Sequence, residues 1–197
     1  MSAPITGVIL AGGAGRRMGG IDKGLQELDG QPLVQRVLVR LAPQVDSVLI
    51  SANRNLERYA GFGCPVLGDT IPGYAGPLAG LQAALSRAAT PLLVSAPCDS
   101  PFLPTDLVAR LRAALDANHA DLAVARAGDR VHRAFCLLRR ELLPGLDRFL
   151  AGGERKVGLW HASLNLAEVS FDDEADAFDN INTLNDLQAR PDVQVRP

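Results

Sequence analysis

The sequence predicts an α/β fold with a mostly parallel sheet and an antiparallel portion in its C-terminal half. Three observations predict it. The apolar pattern alternates between strand and helix periods from the N-terminus onward, in the rhythm of right-handed crossovers. Pro91 to Ser95 is a near-continuous apolar run, as expected of a strand covered on both faces of a parallel sheet. Ala120 to Ala125 and Val131 to Leu138 flank Gly128-Asp129, which reads as a hairpin turn between antiparallel strands.

Each element has its own signal. Ile5 to Leu10 is apolar, carries β-branched residues and forms the first strand. Leu25 to Leu28 is a short extended piece closed by an Asp29-Gly30 turn. Pro32 suits a first helical position, and Leu33, Val34, Val37, Leu38 and Leu41 repeat at helical spacing up to Pro43. Ser47 to Ser51 returns to strand, Glu57 to Ala60 makes one helical turn, and Pro65 to Leu67 is a short strand ending at Gly68-Asp69. Leu78, Leu81, Ala84, Leu85 and Ala88 mark a helix beginning near Pro77. Pro104 opens another, with Leu107, Val108, Leu111 and Leu115 as its apolar stripe. Helices are expected at Glu141 to Leu150, at Glu154 to Trp160 and from Thr183, with a strand at Leu166 to Phe171 and a frayed end at Gln194 to Pro197. No repeat, low-complexity segment or linker divides residues 1–197, so a single domain is expected.

Residues Leu10 to Gly24, LAGGAGRRMGGIDKG, follow the first strand directly. Gly12, Gly13, Gly15, Gly19 and Gly20 release the backbone, so that successive N–H groups can turn toward one point and make an anion nest. Arg16, Arg17 and Lys23 add positive charge. A cation-loaded, glycine-rich turn leaving a strand is suited to a polyphosphate. It is not a P-loop, since Lys23 follows Asp22 and precedes Gly24. Nor is it the dinucleotide fingerprint, which meets Met18 where its third glycine should pack; the second strand runs into Ala52-Asn53-Arg54 rather than a ribose-binding acid.

Bulk properties restrict the partners. With 197 residues the chain can bury about 70% of its unfolded surface. It is 47% hydrophobic but only 5% aromatic, so the core must be mostly Leu, Val and Ala. A net charge of −2 gives no global attraction to nucleic acid or anionic lipid, and any polyanion must be held by local charge. No apolar run approaches the ~20 residues of a membrane span, and no signal segment precedes the first strand, so a cytoplasmic protein is expected. Cys64, Cys98 and Cys136 show neither metal spacing nor a disulfide framework and read as reduced thiols. Cys98 abuts Asp99, but no His lies nearby in sequence to activate it, and a buried apolar side chain is the better reading. His119, His132 and His161 form no metal pattern.

In open α/β sheets ligands lie beyond the carboxyl ends of the parallel strands. Three candidate groups fall there: the first loop after Leu10, Asp69 after Leu67, and Asp99 after Ser95. Asp99, stiffened by Pro97 and Pro101, is the candidate Mg²⁺ ligand, because Mg²⁺ takes one or two carboxylates plus waters and substrate phosphates. Its other reading is a cap for a turn or for the next helix. Asp69 either accepts hydrogen bonds from a nucleoside or is a satisfied turn residue before Thr70; spacing leaves both open.

The first loop resembles that of the molybdenum cofactor guanylyltransferase family, whose signature is L-A-G-G, an Arg-Met-Gly stretch, then Asp-Lys-Gly. Further matches follow in order: Asp69, Gly76-Pro77-Leu78-Ala79-Gly80, Pro97-Cys98-Asp99-Ser100-Pro101, Gly153-Glu154-Arg155 and Asn180-Ile181-Asn182-Thr183, so the resemblance spans Gly7 to about Leu187. It implies a Rossmann-like three-layer αβα nucleotidyltransferase fold and transfer of GMP from GTP onto molybdopterin with Mg²⁺. The N-terminal half would bind GTP and the C-terminal half molybdopterin. By the same resemblance Leu10, Ala11, Gly12, Gly13, Lys23, Asp69 and Asp99 belong to the GTP site, with Arg17, Lys23 and Asp99 catalytic and Asp99 the metal ligand. Gly76, Gly80, Arg155, Asn180 and Asn182 belong to the molybdopterin site. A monomer is expected, handing its product to a molybdoenzyme or a chaperone of one. Many relatives carry Asn where Ser51 stands, and relatives often show Pro where Arg133 follows His132, so these two positions depart from the family pattern. Rival readings are cytidylyl transfer from CTP to the same pterin, a sugar-phosphate nucleotidyltransferase, and a non-catalytic nucleotide-binding module.

Overall fold

A computed structural model describes residues 3–13, 21–71 and 76–181. Along them run β1 (Ile5–Leu10), β2 (Glu27–Leu28), β3 (Gln31–Pro32), α1 (Leu33–Leu41), β4 (Ser47–Ser51), α2 (Leu56–Ala60) and β5 (Val66–Leu67). Then come α3 (Pro77–Arg87), β6 (Leu92–Pro97), α4 (Leu107–Ala117), β7 (Leu122–Ala127), β8 (Arg130–Arg139), α5 (Leu143–Ala151), α6 (Val157–Ala162) and β9 (Leu166–Ser170). Among the described residues, seven strands form one sheet in the order β5-β4-β1-β6-β8-β7-β9, and β2 and β3 form a separate hairpin.

β1 is paired in parallel on both edges, to β4 with Val8 opposite Leu49 and to β6 with Val8 opposite Ser95. β5 continues the parallel run beyond β4. The antiparallel portion is confined to β8, which runs against β6 and β7, while β9 lies parallel to β7. The Gly128-Asp129 turn joins β7 to β8 as expected, and the ladder shifts from Val124 opposite Cys136 to Ala125 opposite His132.

Side chains alternate across the strands and feed two cores, one on each face of the sheet. Ile5, Ile9, Val94 and Leu137 pack with Val34, Val37 and Leu41 of α1 and with Leu107, Leu111 and Leu115 of α4. Val8, Leu93, Val124 and Leu138 pack with Leu78, Leu81 and Leu85 of α3, Leu146 and Leu150 of α5 and Trp160 of α6. The result is three layers, α/β/α. Gly7 lets α1 approach β1 closely, since a Cβ there would stand 3.1 Å from Leu41 Cδ2. No helix among the described residues is long and apolar enough to cross a membrane.

Several boundaries differ from the sequence reading. Pro32 lies just before α1, with ψ of 140°, because its pairing with Glu27 keeps it extended. The expected extended piece at Leu25 to Leu28 is a 3₁₀ turn over Lys23–Leu25 followed by β2. α4 starts at Leu107 rather than at Pro104, where the Gln44 side chain accepts from Val108 N (3.0 Å) and donates to Pro104 O (2.9 Å). α6 starts at Val157 rather than Glu154. A 3₁₀ segment, Asp172–Phe178, was not expected; it carries Phe178 into edge-to-face contact with Phe135 (centroids 4.9 Å) and Phe171 (5.1 Å). The helix expected from Thr183 lies outside the described residues.

His161 on α6 is 2% exposed, and neither ring nitrogen meets a hydrogen-bond partner among the described residues. Burial, reinforced by the charge of Arg133, pushes its pKa down to about 4. Above the ordinary histidine value both folded and unfolded chains hold the ring neutral. Between that value and about 4 only the unfolded chain takes up the proton, so acid favours unfolding. Stability is therefore expected to fall by roughly 2 kcal/mol between pH 7 and pH 5 from this residue alone. Urea unfolding of His161→Leu at the two pH values checks this: the variant should lose that part of the pH dependence.

Candidate nucleotide site

Because β1 is flanked by β4 on one side and β6 on the other, the chain connections diverge at its carboxyl end. This is the switch point where open α/β sheets leave a crevice. The segments following β1, β4, β5 and β6 all emerge there. A cavity of about 310 Å³ lies at this rim; Leu10, Gly12, Gly13, Ser51, Asp69, Gly76, Gly80 and Pro97 contribute to its wall. That is at the small end of the range for ligand pockets. Of the residues predicted for nucleotide and acceptor, six (Leu10, Gly12, Gly13, Asp69, Gly76 and Gly80) therefore share one wall, with Pro97 beside them.

Asp69 is held rather than loose. Asn53 donates from Nδ2 to Asp69 Oδ2 (2.8 Å) and to Gly12 O (3.2 Å), and Asn53 Oδ1 accepts from Asp69 N (2.8 Å). This explains Gly12, since a Cβ there would stand 2.8 Å from Asn53 Nδ2. Asp69 Oδ1 is buried with no partner among the described residues, and burial raises the carboxyl pKa while the Asn53 hydrogen bond opposes the rise. A cavity-lining acceptor already oriented by its other oxygen is suited to a ligand N–H or hydroxyl.

Asp99 sits just beyond β6, buried, its backbone fixed by Cys98 N donating to Leu10 O (3.1 Å) and by Ile181 N donating to Asp99 O (2.8 Å). Lys23 Nζ donates to Asp99 Oδ2 at 3.1 Å, joining two residues 76 apart in sequence. Ser100, fully buried, donates from Oγ to Asn180 Oδ1 (2.8 Å), which brings Asn180 beside the Pro97–Pro101 turn. Asp99 is a hard carboxylate at the rim, a donor suited to an ion that shares its coordination with substrate phosphates. Among the described residues no three His, Cys, Asp or Glu side chains converge as a self-contained metal cage.

The Asp-Lys-Gly triplet is built into the fold on both sides of the lysine. Asp22 accepts from Tyr59 Oη (2.6 Å) and Asn55 Nδ2 (2.9 Å), and Arg54 Nε lies 3.5 Å from its Oδ2. A Cβ at Gly24 would stand 2.5 Å from Tyr59 Oη and 3.2 Å from Cys98 Sγ. Cys98 itself is buried and its thiol is pushed far above the ordinary range, by burial first and then by Asp99, which fits an inert packing role.

On the acceptor side the picture is mixed. Gly76 precedes α3 with φ of 82°, a left-handed conformation that favours glycine. Gly80 is buried, and a Cβ there would meet Ser51 Oγ at 2.5 Å, so close packing of α3 on β4 accounts for this glycine. Arg155 donates from Nη1 to Leu150 O and to Glu154 O, both at 2.7 Å, closing the end of α5, and does not line the cavity. Arg17 and Asn182 lie outside the described residues. Sequence reasoning missed Asn53, Asn55 and Tyr59 as site residues. The polar run Asn53-Arg54-Asn55 at the end of a parallel strand was a usable signal; Tyr59 carried none.

A family model described as the MobA-like NTP transferase domain matches residues 7–164. A molybdenum cofactor guanylyltransferase of Cupriavidus necator is 56% identical over 189 residues, covering 93% of this chain and 94% of its own. One of Bordetella petrii is 50% identical over 191 residues, covering 95% of this chain and 97% of its own. Among solved structures, molybdopterin-guanine dinucleotide biosynthesis protein A of Archaeoglobus fulgidus has the same fold. Its TM-score is 0.78 at 24% identity, covering 93% of this chain and 95% of its own.

Gly80→Ala is expected to destabilise by about 1–3 kcal/mol through overpacking. Adding Ser51→Ala removes the opposing hydroxyl and should restore most of that loss. Denaturant unfolding of the single and double variants measures both effects.

Proposed function

The chain belongs to the MobA-like NTP transferase domain family, and on that premise we propose that it transfers GMP from GTP to molybdopterin, forming a guanine dinucleotide and pyrophosphate. The observation that carries the reading is near-full-length identity above half to guanylyltransferases. Lys23 and Asp99, which meet at 3.1 Å just beyond the carboxyl end of β6, support it.

In this reading the backbone N–H groups after β1 hold phosphate oxygens, with Leu10, Ala11, Gly12 and Gly13 forming the floor. Asp69 Oδ1 accepts from the guanine N–H edge or from ribose. The terminal phosphate of the pterin attacks the α-phosphorus of GTP in line, and pyrophosphate leaves. The nucleophile is already anionic, so no protein base is required, and positioning with charge neutralisation supplies most of the rate. Lys23 and Arg17 neutralise charge growing on the leaving group. Asp99 is the residue that would hold Mg²⁺, which when bound neutralises phosphate charge. Gly76, Gly80, Asn180, Asn182 and Arg155 are assigned to the pterin side, Asn180 with support from its bond to Ser100 and Arg155 by resemblance alone. Apart from Gly76 and Gly80, which lie on the same cavity wall as Gly12 and Asp69, the residues assigned to the acceptor come from the C-terminal half and those assigned to the nucleotide from the N-terminal half and its end at Asp99.

A pyrophosphate-release assay with molybdopterin, Mg²⁺ and either GTP or CTP tests the reading. GTP should be used at least about tenfold better, because with Asp69 on the guanine N–H edge a cytosine would leave that carboxylate unpaired; equal turnover with CTP would overturn the guanylyl assignment. Lys23→Ala should weaken GTP binding and slow transfer with the fold unchanged, which circular dichroism checks, and should lower the melting temperature because Asp99 loses its partner. Asp99→Asn keeps the shape but loses the charge a divalent cation needs. It should cut transfer about a hundred- to a thousandfold and abolish Mg²⁺-dependent tightening of GTP binding, with little change in metal-free GTP affinity. Near-full turnover by Asp99→Asn at saturating Mg²⁺ would reduce Asp99 to a turn residue.

A further inference from the structure

Lys23 is held by a part of the chain that lies to one side of the cavity wall. After β4 the backbone reaches Asn55, whose φ of 51° and ψ of 34° are left-handed, a conformation asparagine tolerates better than most residues. That turn starts α2, where Tyr59 N donates to Asn55 O at 3.1 Å. Residues four apart on a helical turn share a face, and here both side chains reach the same carboxylate. Asn55 Nδ2 donates to Asp22 Oδ2 (2.9 Å), and Tyr59 Oη donates to Asp22 Oδ1 (2.6 Å). Both oxygens of Asp22 are thereby engaged, and Arg54 Nη2 donates to the neighbouring Ile21 O at 2.8 Å.

The other side of Lys23 is fixed by contact. Gly24 lies against the Tyr59 hydroxyl so closely that any side chain would collide with it. Tyr59 is fully buried, and burial raises its phenol pKa far above the ordinary value, so it stays a donor throughout the working pH range. Between these two anchors Lys23 opens a single 3₁₀ turn, closed by Leu25 N to Asp22 O (3.3 Å) and Gln26 N to Lys23 O (3.0 Å). From that turn its ammonium reaches Asp99.

We propose that Tyr59 and Asn55 are positioning residues for the nucleotide, acting through Asp22 to hold the backbone of Lys23 where its ammonium meets the triphosphate. The role rests on the reading of Lys23 as a phosphate-binding residue. It assigns Asp22 to a structural strut rather than to the metal, and it gives α2 a function. A lysine side chain is long and rotamer-rich, and anchoring its Cα on both sides removes the backbone share of the entropy lost when it engages a ligand.

The test is a double-mutant cycle read in GTP affinity by calorimetry, with thermal melting alongside. Tyr59→Phe should weaken GTP binding about three- to tenfold in the otherwise native chain. In a Lys23→Ala background the same change should weaken it less than about twofold, because the group being positioned is gone. The loss in melting temperature should be equal in both backgrounds, which separates positioning from general damage. Asn55→Gly, which keeps the left-handed backbone and removes only the amide, should show the same coupling and serves if Tyr59→Phe does not fold. Equal weakening in both backgrounds, or none in the native chain, would overturn the positioning role while leaving Lys23 as a phosphate ligand. A Lys23→Ala protein that binds GTP with native affinity would overturn that assignment, and this proposal with it.

Discussion

A strand hydrogen-bonded on both edges to parallel neighbours cannot slide without breaking two ladders and moving its side chains to the wrong core. β1 is in that position, five residues in register with β4 and six with β6. The register does more than secure the sheet. It places Leu10, Ser51 and Pro97 side by side, so that the chain leaves β1, β4 and β6 at one level. The backbone bonds Ala11 N to Ser51 O (2.7 Å), Ala52 N to Leu67 O (2.8 Å) and Cys98 N to Leu10 O (3.1 Å) extend this alignment one residue beyond the strands. Residues scattered from position 10 to position 99 thus meet at one rim with little freedom of their own.

Polar groups at that rim could be expensive to bury, and most of them are partnered. Asp22 has two neutral donors and a nearby guanidinium, Asp99 has Lys23, and Ser100 has Asn180. Asp69 differs, with one oxygen bonded to Asn53 and the other buried without a partner among the described residues. The contrast divides the carboxylates by task. A fully satisfied carboxylate such as Asp22 stabilises the loop base and has little to offer a ligand. A half-satisfied one is oriented by its bonded oxygen and regains its desolvation cost when a donor arrives.

How much of this was legible in the sequence depends on the range of the interaction responsible. β1, β4 and the β7–β8 turn were readable because strand periodicity and turn chemistry are local. The placement of Asp69 and Asp99 beyond parallel strand ends was readable because strand order alone sends strand ends to a common edge. Pro32 and Pro104 misled because proline marks the neighbourhood of a helix start without naming the residue. The pairing of Pro32 with Glu27, and the reach of Gln44 across to Val108, set the true boundaries, and both are tertiary. The confinement of antiparallel pairing to β8 also depends on which neighbours β7 and β9 find in space.

Glycine shows the same division most clearly. Gly12, Gly24 and Gly80 all stand in motifs that suggest a bare backbone offered to a ligand. Each also has a protein atom where its Cβ would be: Asn53 Nδ2 at 2.8 Å, Tyr59 Oη at 2.5 Å and Ser51 Oγ at 2.5 Å. Their neighbour Gly13 meets nothing within 4 Å among the described residues, and it lies at the cavity wall. A glycine-rich motif of this kind therefore does two jobs. Some glycines let supporting side chains press against the loop and hold it still, and others keep the approach to it open. Catalysis by placement needs both, since a phosphate held by backbone N–H groups gains from them only where the backbone is already fixed in the geometry the transferring group requires.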